Sequence, residues 1–476
     1  MSVQGLYKNP LFWVTITLPF VLSANIPLLP TYDDWSSTPG PNPNPFTWEL
    51  LLPMNSYWRP LENLYGYLIA HYRWLMPWLP HVLVVCGHYI GCCYVYRICR
   101  RLYCSAFAQF VATIFFWFSV GAIPTATACD GMSQTWTHTL GLIALYKYLK
   151  SSSSSTNSYS WLLIVALATL VKENGLSWGL AIPVVAYSFN LTDRQTFRRH
   201  LIYGFLFALS YTIFHFSLPV AEDYHLSEEY FHPSFLRTLR GVALLLSFTW
   251  LPIDYIHLLH QPHRNFIAVC VSLLMLAPFI FLTFCRQFAL YRSRIFIGLL
   301  IAFFILVGPH LITIFSLMHT YASLGVAALI TGYFANQADH TRAYRLAFVS
   351  YVLVSVAVDM THCRAAYQSG LLGKRLSTDA IQGAGHPVEK AMLIIVNQGD
   401  TRYSNFFVIP FETFDKGRGI LWETNYAWPK ELESIEVPDE SQIISHTTDS
   451  IIESDRFDCI WVLKDTVITT ILPRQN

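Results

Sequence analysis

The chain has 476 residues, of which 53% are hydrophobic, 16% aromatic and only 13% charged, and its mean hydropathy is +0.38, a balance that excludes an ordinary water-soluble enzyme. The net charge of +1 excludes a surface built for nucleic acid, so basic residues matter through their positions. Ten cysteines lie scattered, Cys86, Cys92, Cys93 and Cys270 inside apolar runs, with no CxxC pair or zinc-type spacing, so no metal is expected from them.

In chain order, apolar runs long enough to cross a bilayer recur from Leu11 to Met360, about ten to twelve in all. The first, Leu11 to Leu29, follows Lys8, which predicts a cytosolic N-terminus and sends Thr31 onward to the outer face. A cleaved signal peptide is the competing reading, with Ser23-Ala24 as its small-residue site. The second span, Leu75 to Tyr96, returns to Arg97, Arg100 and Arg101. Spans near Ser105–Ile123 and Gln134–Tyr148 enclose an outer turn with Asp130 and return to Lys147, Lys150 and a serine run, a polar cytosolic linker. The stretch Trp161–Phe189 is broken by Lys172-Glu173-Asn174 and predicts two short helices meeting at the outer face. Arg194, Arg198 and Arg199 then lie inside, so the Asn190-Leu191-Thr192 sequon is expected to go unused. Val242–Ile253 is short for a crossing and fits a re-entrant or tilted element. A hairpin with an outer turn at His319–Tyr321 follows, then a last span, Leu346–Val358.

Beyond Asp359, charged turns, prolines and β-rich runs at Met392–Val396, Phe406–Ile409 and Cys459–Leu463 predict a small soluble domain on the outer face. Cys363 and Cys459 could pair there in an oxidising compartment. The expected fold class is thus an α-helical polytopic membrane protein, residues 1–360, with its functional loop at 31–74, and a small C-terminal α/β soluble domain, residues 361–476.

The chemistry-bearing residues cluster at predicted outer turns. Thr31-Tyr32-Asp33-Asp34-Trp35 sets two adjacent carboxylates at the membrane surface, and Trp58-Arg59-Pro60-Leu61 brings an arginine near them in sequence, a possible acid/base and anion-binding pair. Each has a plainer reading. Asp33 and Asp34 can be a solvated loop, Arg59 can snorkel to headgroups, Lys172-Glu173 can be a paired charge that permits a hairpin, and Asp130 can cap a helix. His225, His232, His257, His260, His263 and His319 show no metal-ligand spacing. Trp35, Trp58, Trp74 and Trp78 are interfacial anchors by position, and Trp35 or Trp58 could stack on a sugar.

An acidic pair directly after the first span, then Trp48, then an aromatic-Arg-Pro-Leu element resemble the C-type glycosyltransferase (GT-C) superfamily. The likeness is nearest to protein O-mannosyltransferase relatives with an Asp-Asp loop and a Tyr-Arg-Pro-Leu element. Leu170–Leu176 is similar to the Lys-Glu or Lys-Gly elements that join two short helices in this superfamily, and Pro124 to Asp130 matches another outer turn in position. The resemblance covers the chain up to about Phe189; beyond it only the general layout corresponds. His319-Thr320-Tyr321 stands where some relatives carry an arginine and tyrosines, no TPR helices follow, and the small terminal domain is unlike the tails of these relatives.

The resemblance implies an inverting glycosyltransferase that takes one sugar from a polyprenyl-phosphate donor in the outer leaflet of the membrane. The acceptor is a hydroxyl of a glycan, lipid-linked saccharide or protein on the periplasmic or luminal side. It implies Asp33 or Asp34 as base and Arg59 and Lys172 as ligands of the donor phosphate, with Glu173 orienting or neutralising Lys172 and Asp130, His319 and Tyr321 in support. It favours a metal-independent reaction without a cofactor, although an Asp-Asp pair could hold a divalent cation. A transporter or flippase for a lipid-linked or polar substrate is the competing class, against which stands the absence of a convincing internal repeat; a scaffold with an outer interaction module is a third.

Overall fold

The computed structural model describes residues 8–29, 47–53, 58–72, 78–102, 105–129, 131–151, 159–218, 234–252, 262–311, 316–337, 342–396, 417–424, 427–437, 457–464 and 467–471. Asp33, Asp34, Asp130 and the predicted strand at Phe406–Ile409 lie outside these residues.

The longer described helices are α1 (Pro10–Asn25), α2 (Pro60–Tyr72), α3 (Leu79–Arg101), α4 (Ala106–Trp117), α5 (Gly131–Ser151), α6 (Ser160–Val171), α7 (Ser177–Ser188), α8 (Arg194–Phe216), α9 (Phe235–Trp250), α10 (Pro262–Thr283), α11 (Arg294–Leu311), α12 (Tyr321–Gln337) and α13 (Arg342–Ala384). Local chemistry starts many of them. Asn9 caps α1 ahead of Pro10, Ser105 caps α4, and Asp193 accepts from Gln195 and Thr196 at the head of α8, each side chain meeting a backbone N–H that a helix start leaves unpaired.

Among the described residues, four helical stretches are long and apolar enough to cross a membrane: Leu79–Arg101, Val269–Gln287, Arg294–Leu311 and Arg342–Ala384. A fifth is added if the bent pair Ala106–Trp117 and Val120–Ala126 is one span. The larger number read from the sequence includes α5, whose Ser133, Gln134, Thr135, Thr137, His138 and Thr139 form a buried polar stretch, and the broken pair α6 and α7. Helix α12 is buried on every side from Tyr321 to Ala335 and is the centre of the bundle. Buried Thr113, Thr127, Thr135, Thr169, Thr249 and Thr331 each donate to the carbonyl one turn back, which satisfies the hydroxyl where no water competes.

The helices share one polarity. Arg100 and Arg101 end α3 and Lys150 ends α5, while Arg194, Arg294 and Arg342 begin α8, α11 and α13. Contacts bring these ends together: Gly298 near the start of α11 abuts Ser188 at the end of α7, and Ser105 at the head of α4 donates to Asn336 near the end of α12. The other end of the bundle carries the turn between α6 and α7, the end of α11 and the head of α12.

Helix α13 spans the expected domain boundary. It runs unbroken for 43 residues, through the change in composition at Asp359, and stops where Gly385 takes φ 72°, a left-handed position that suits a glycine after a helix end. Its last turns pack Leu376, Ala380 and Ala384 onto a four-stranded sheet of order β2-β1-β3-β4. The strands are β1 (Lys390–Val396), β2 (Glu431–Val437), β3 (Cys459–Lys464) and β4 (Val467–Ile471). β1 pairs in parallel with β2 and β3, and β3 pairs antiparallel with β4. Both faces of β1 and β3 are covered, so these strands read as continuous apolar runs rather than alternating ones. Cys363 and Cys459, considered from the sequence as a pair, are both free thiols in the structure.

Candidate functional site

The apolar run of α6 ends where Lys172 turns to an extended conformation (φ −155°, ψ 138°), although its N–H still reaches the Ala168 carbonyl. Glu173–Leu176 then form a single 3-10 turn before α7 begins. The turn folds tightly onto the end of α6, because a Cβ on Gly175 would lie 2.6 Å from the Ala168 carbonyl carbon and the Thr169 nitrogen. The sequence expectation of two short helices joined by this charged triplet matches the geometry.

Glu173 is not turned to Lys172, as expected, but to an arginine 114 residues earlier. Arg59 Nε donates to Glu173 Oε2 at 2.6 Å and Nη2 donates to Oε1, a bidentate pair. Arg59 Nη1 donates to Glu62 Oε2 at 3.0 Å. One guanidinium is thereby committed to two carboxylates and ties the head of α2 to the α6–α7 turn. Trp58 beside it is packed as well: its indole donates to the Leu51 carbonyl at 2.9 Å, its ring meets Phe214 edge-on, and its own carbonyl accepts from the Tyr211 hydroxyl. Lys172 differs, since among the described residues no hydrogen bond or ion pair holds its ammonium.

Next in the turn, Asn174 is buried at 5% exposure. One terminal atom of its amide lies 3.1 Å from the Gln134 amide, 3.2 Å from His138 Nε2 and 2.9 Å from His310 Nε2. His310, in the last turn of α11, stacks on His319 with ring centroids 3.9 Å apart. His319 Nδ1 accepts the backbone N–H of Ser316 at 3.1 Å within a capping box, so the neutral ring carries its proton on Nε2. Tyr321, the first residue of α12, is fully buried and its hydroxyl meets His88 Nδ1 at 3.1 Å, which makes it a core contact at the edge of this cluster.

The structure thus brings together Arg59, Lys172, Glu173, His319 and Tyr321 at one end of the bundle and adds Asn174, His138, His310 and Gln134, which sequence reasoning missed. Gln134 and His138, one turn apart on α5, were readable as a polar stripe in an apolar run. His310 carries no such signal, being a lone histidine at the end of one. Leu28, five residues before Asp33, hydrogen-bonds through its backbone to His81 near the head of α3.

Burial works against charge at the clamp, yet the mutual attraction prevails. It holds the Arg59 guanidinium charged well above its usual range and the Glu173 carboxyl down at about 2. Burial and the Lys172 ammonium together lower His319 to about 3, so a net cation keeps its neighbour neutral. The two shifts act in different windows. Below the ordinary histidine value of 6.5 the unfolded chain protonates His319 and the folded one does not, so stability falls with pH from there toward 3. Glu173, depressed from 4.5, contributes fully above that value and loses its contribution as pH drops toward 2. The thermal midpoint of the detergent-solubilised protein should therefore decline in two stages below neutral pH, and Glu173→Gln should remove the lower stage while leaving the upper.

With this geometry described, comparison with solved structures gives a fold. The chain is similar to the crystal structure of ArnT from Cupriavidus metallidurans bound to undecaprenyl phosphate. The match has a TM-score of 0.51 and 12% sequence identity and covers 98% of each chain. At that identity the likeness is one of fold: an integral membrane helical bundle carried over the whole length. No family model and no curated protein matches the sequence.

Proposed function

We propose that this chain is an inverting, polyprenyl-phosphate-dependent glycosyltransferase that moves one sugar to an acceptor hydroxyl on the periplasmic or luminal face of its membrane. The observation that carries the reading is Lys172, a cation without an ion-pair partner among the described residues, set beside neutral donor groups. Undecaprenyl phosphate is what the similar structure holds, and the Asp-Asp and Trp-Arg-Pro-Leu elements resemble the C-type glycosyltransferases. Lys172 is the phosphate ligand in this account. Arg59, with its fork spent on Glu173 and Glu62, fixes the turn that presents Lys172.

In the reaction, the carboxylate of Asp33 or Asp34 takes the proton of the acceptor hydroxyl as its oxygen attacks the anomeric carbon. The carbon–oxygen bond to the phosphate breaks on the opposite face, inverting the configuration, and the electron pair leaves with the lipid phosphate. Fixed donors at low dielectric stabilise that developing charge without reorganising. The basic ends of α3, α5, α8, α11 and α13 face the cytosol by the positive-inside rule, which keeps the Asn190 sequon inside and puts the α6–α7 turn and the C-terminal sheet outside. There the residues after α13 are a candidate for acceptor selection, and deletion after Ala384 should alter acceptor range more than donor hydrolysis.

The test is release of polyprenyl phosphate from synthetic polyprenyl-phosphate sugars by the purified protein. Lys172→Met, which keeps most of the side chain's length and removes its charge, should reduce kcat/KM by about 100- to 1,000-fold at equal folded protein. Equal turnover in the variant would remove Lys172 from the site.

A further inference from the structure

The orientation of the Asn174 amide is decided by a group that does not touch it. Trp178 Nε1 lies 3.1 Å from His138 Nδ1, and an indole N–H only donates, so Nδ1 accepts and neutral His138 carries its proton on Nε2. Gly141, one turn along α5, makes this contact possible, since a Cβ there would sit 2.1 Å from the Trp178 ring. His138 Nε2–H then points at the Asn174 terminal atom 3.2 Å away.

Were that atom Nδ2, donor would face donor, and the Asn174 carbonyl would be buried with no partner. Nitrogen and oxygen of an amide are assigned from their partners, and here the partner requires oxygen. A half-turn of the amide gives Oδ1 the His138 N–H, and that of His310 when this ring carries its proton on Nε2, with Gln134 turned likewise to donate. It moves the NH2 group into the buried position that has no hydrogen-bond partner among the described residues. Two buried N–H groups without an acceptor are costly to leave unmet, and the charged groups nearby among the described residues argue for what meets them. The carboxylates of Glu173 and Glu62 belong to Arg59. Lys172, two residues before Asn174, lies close enough to act electrostatically on His138, His310 and His319.

We infer that Asn174 is a donor-binding residue whose amide NH2 donates to phosphoryl oxygens of the polyprenyl-phosphate carrier, with His138 and Trp178 as positioning residues that hold the amide in that sense. The inference rests on the functional reading above and assigns a partner for Lys172 in carrier recognition.

Asn174→Asp separates the two orientations, because it replaces NH2 by oxygen and leaves the other terminus unchanged. With carbonyl toward the histidines, the variant keeps its histidine contacts, melts near the wild-type temperature and binds undecaprenyl phosphate at least about tenfold more weakly. With NH2 toward the histidines, it would melt lower and bind the carrier as wild type does, which would overturn the inference. Should Asn174→Asp fail to fold, Trp178→Phe keeps the ring packing and removes the indole donor. Carrier affinity should then fall as His138 loses its fixed tautomer, and unchanged affinity would overturn the inference. Inorganic phosphate, run in parallel, should compete with the lipid; wild-type binding of inorganic phosphate but not of the lipid would assign the site to free phosphate and overturn it. If the wild type binds neither, the functional reading itself falls, whereas equal carrier binding by wild type and Asn174→Asp removes only the amide's role.

Discussion

Under the proposed reaction, asparagine in place of the acidic residue assigned as base, Asp33 or Asp34, should reduce sugar transfer by about a hundredfold or more, the usual cost of losing a positioned general base, while carrier binding and thermal stability stay near wild type. In sequence the pair follows α1 (Pro10–Asn25) and precedes the Trp58-Arg59 element. An amide cannot take the acceptor proton, and it leaves the phosphate-binding groups untouched. The loss should therefore appear in kcat with little change in donor KM. One variant should collapse and the other decline less, since a single carboxylate takes the proton. Equal and full activity in both would detach the acidic pair from the chemistry.

Arg59→Ala should act on stability before activity. It leaves Glu173 and Glu62, now both without their common cation, beside one another. The cost of breaking a buried pair reaches about 3–5 kcal/mol. These side chains keep 21% to 33% exposure, so about 2 kcal/mol is expected after solvent screening. Arg59→Lys should rescue poorly, because an ammonium cannot reproduce the fork that meets Glu173 through two nitrogens. Adding Glu173→Gln to Arg59→Ala should recover part of the loss, as the unpaired carboxylate is removed. A thermal midpoint for Arg59→Ala equal to wild type would show that the clamp does not fix the turn.

These residues mark what the sequence could and could not convey. The hairpin at Lys172-Glu173-Asn174 was legible because three polar residues cannot continue an apolar span. The identity of Glu173's partner was not, because neighbours in sequence suggest Lys172 and only the tertiary fold brings Arg59 across 114 positions. The sequence shows the fall in hydropathy at Asp359 but not the end of the helix that carries the last span, which runs on to Ala384, since a fall in hydropathy marks where lipid ends and not where a helix ends. The stop lies at Gly385, where the backbone turns left-handed. The sheet strands β1 and β3 were legible as strands, but their burial on both faces came from their central place between α13 and a second apolar cluster. Asn174 was quoted within a motif without a role, because the role depends on Trp178 and His138 meeting through the space that Gly141 leaves.

The measurement that bears most directly on the central claim is transfer of radiolabelled sugar by purified wild-type protein in liposomes, from a panel of polyprenyl-phosphate sugars to an acceptor extract. The account predicts label in the acceptor with inverted anomeric configuration and one polyprenyl phosphate released per sugar moved. Intact lipid-linked sugar crossing the bilayer, with no donor consumed for any carrier, would contradict it and identify a transporter.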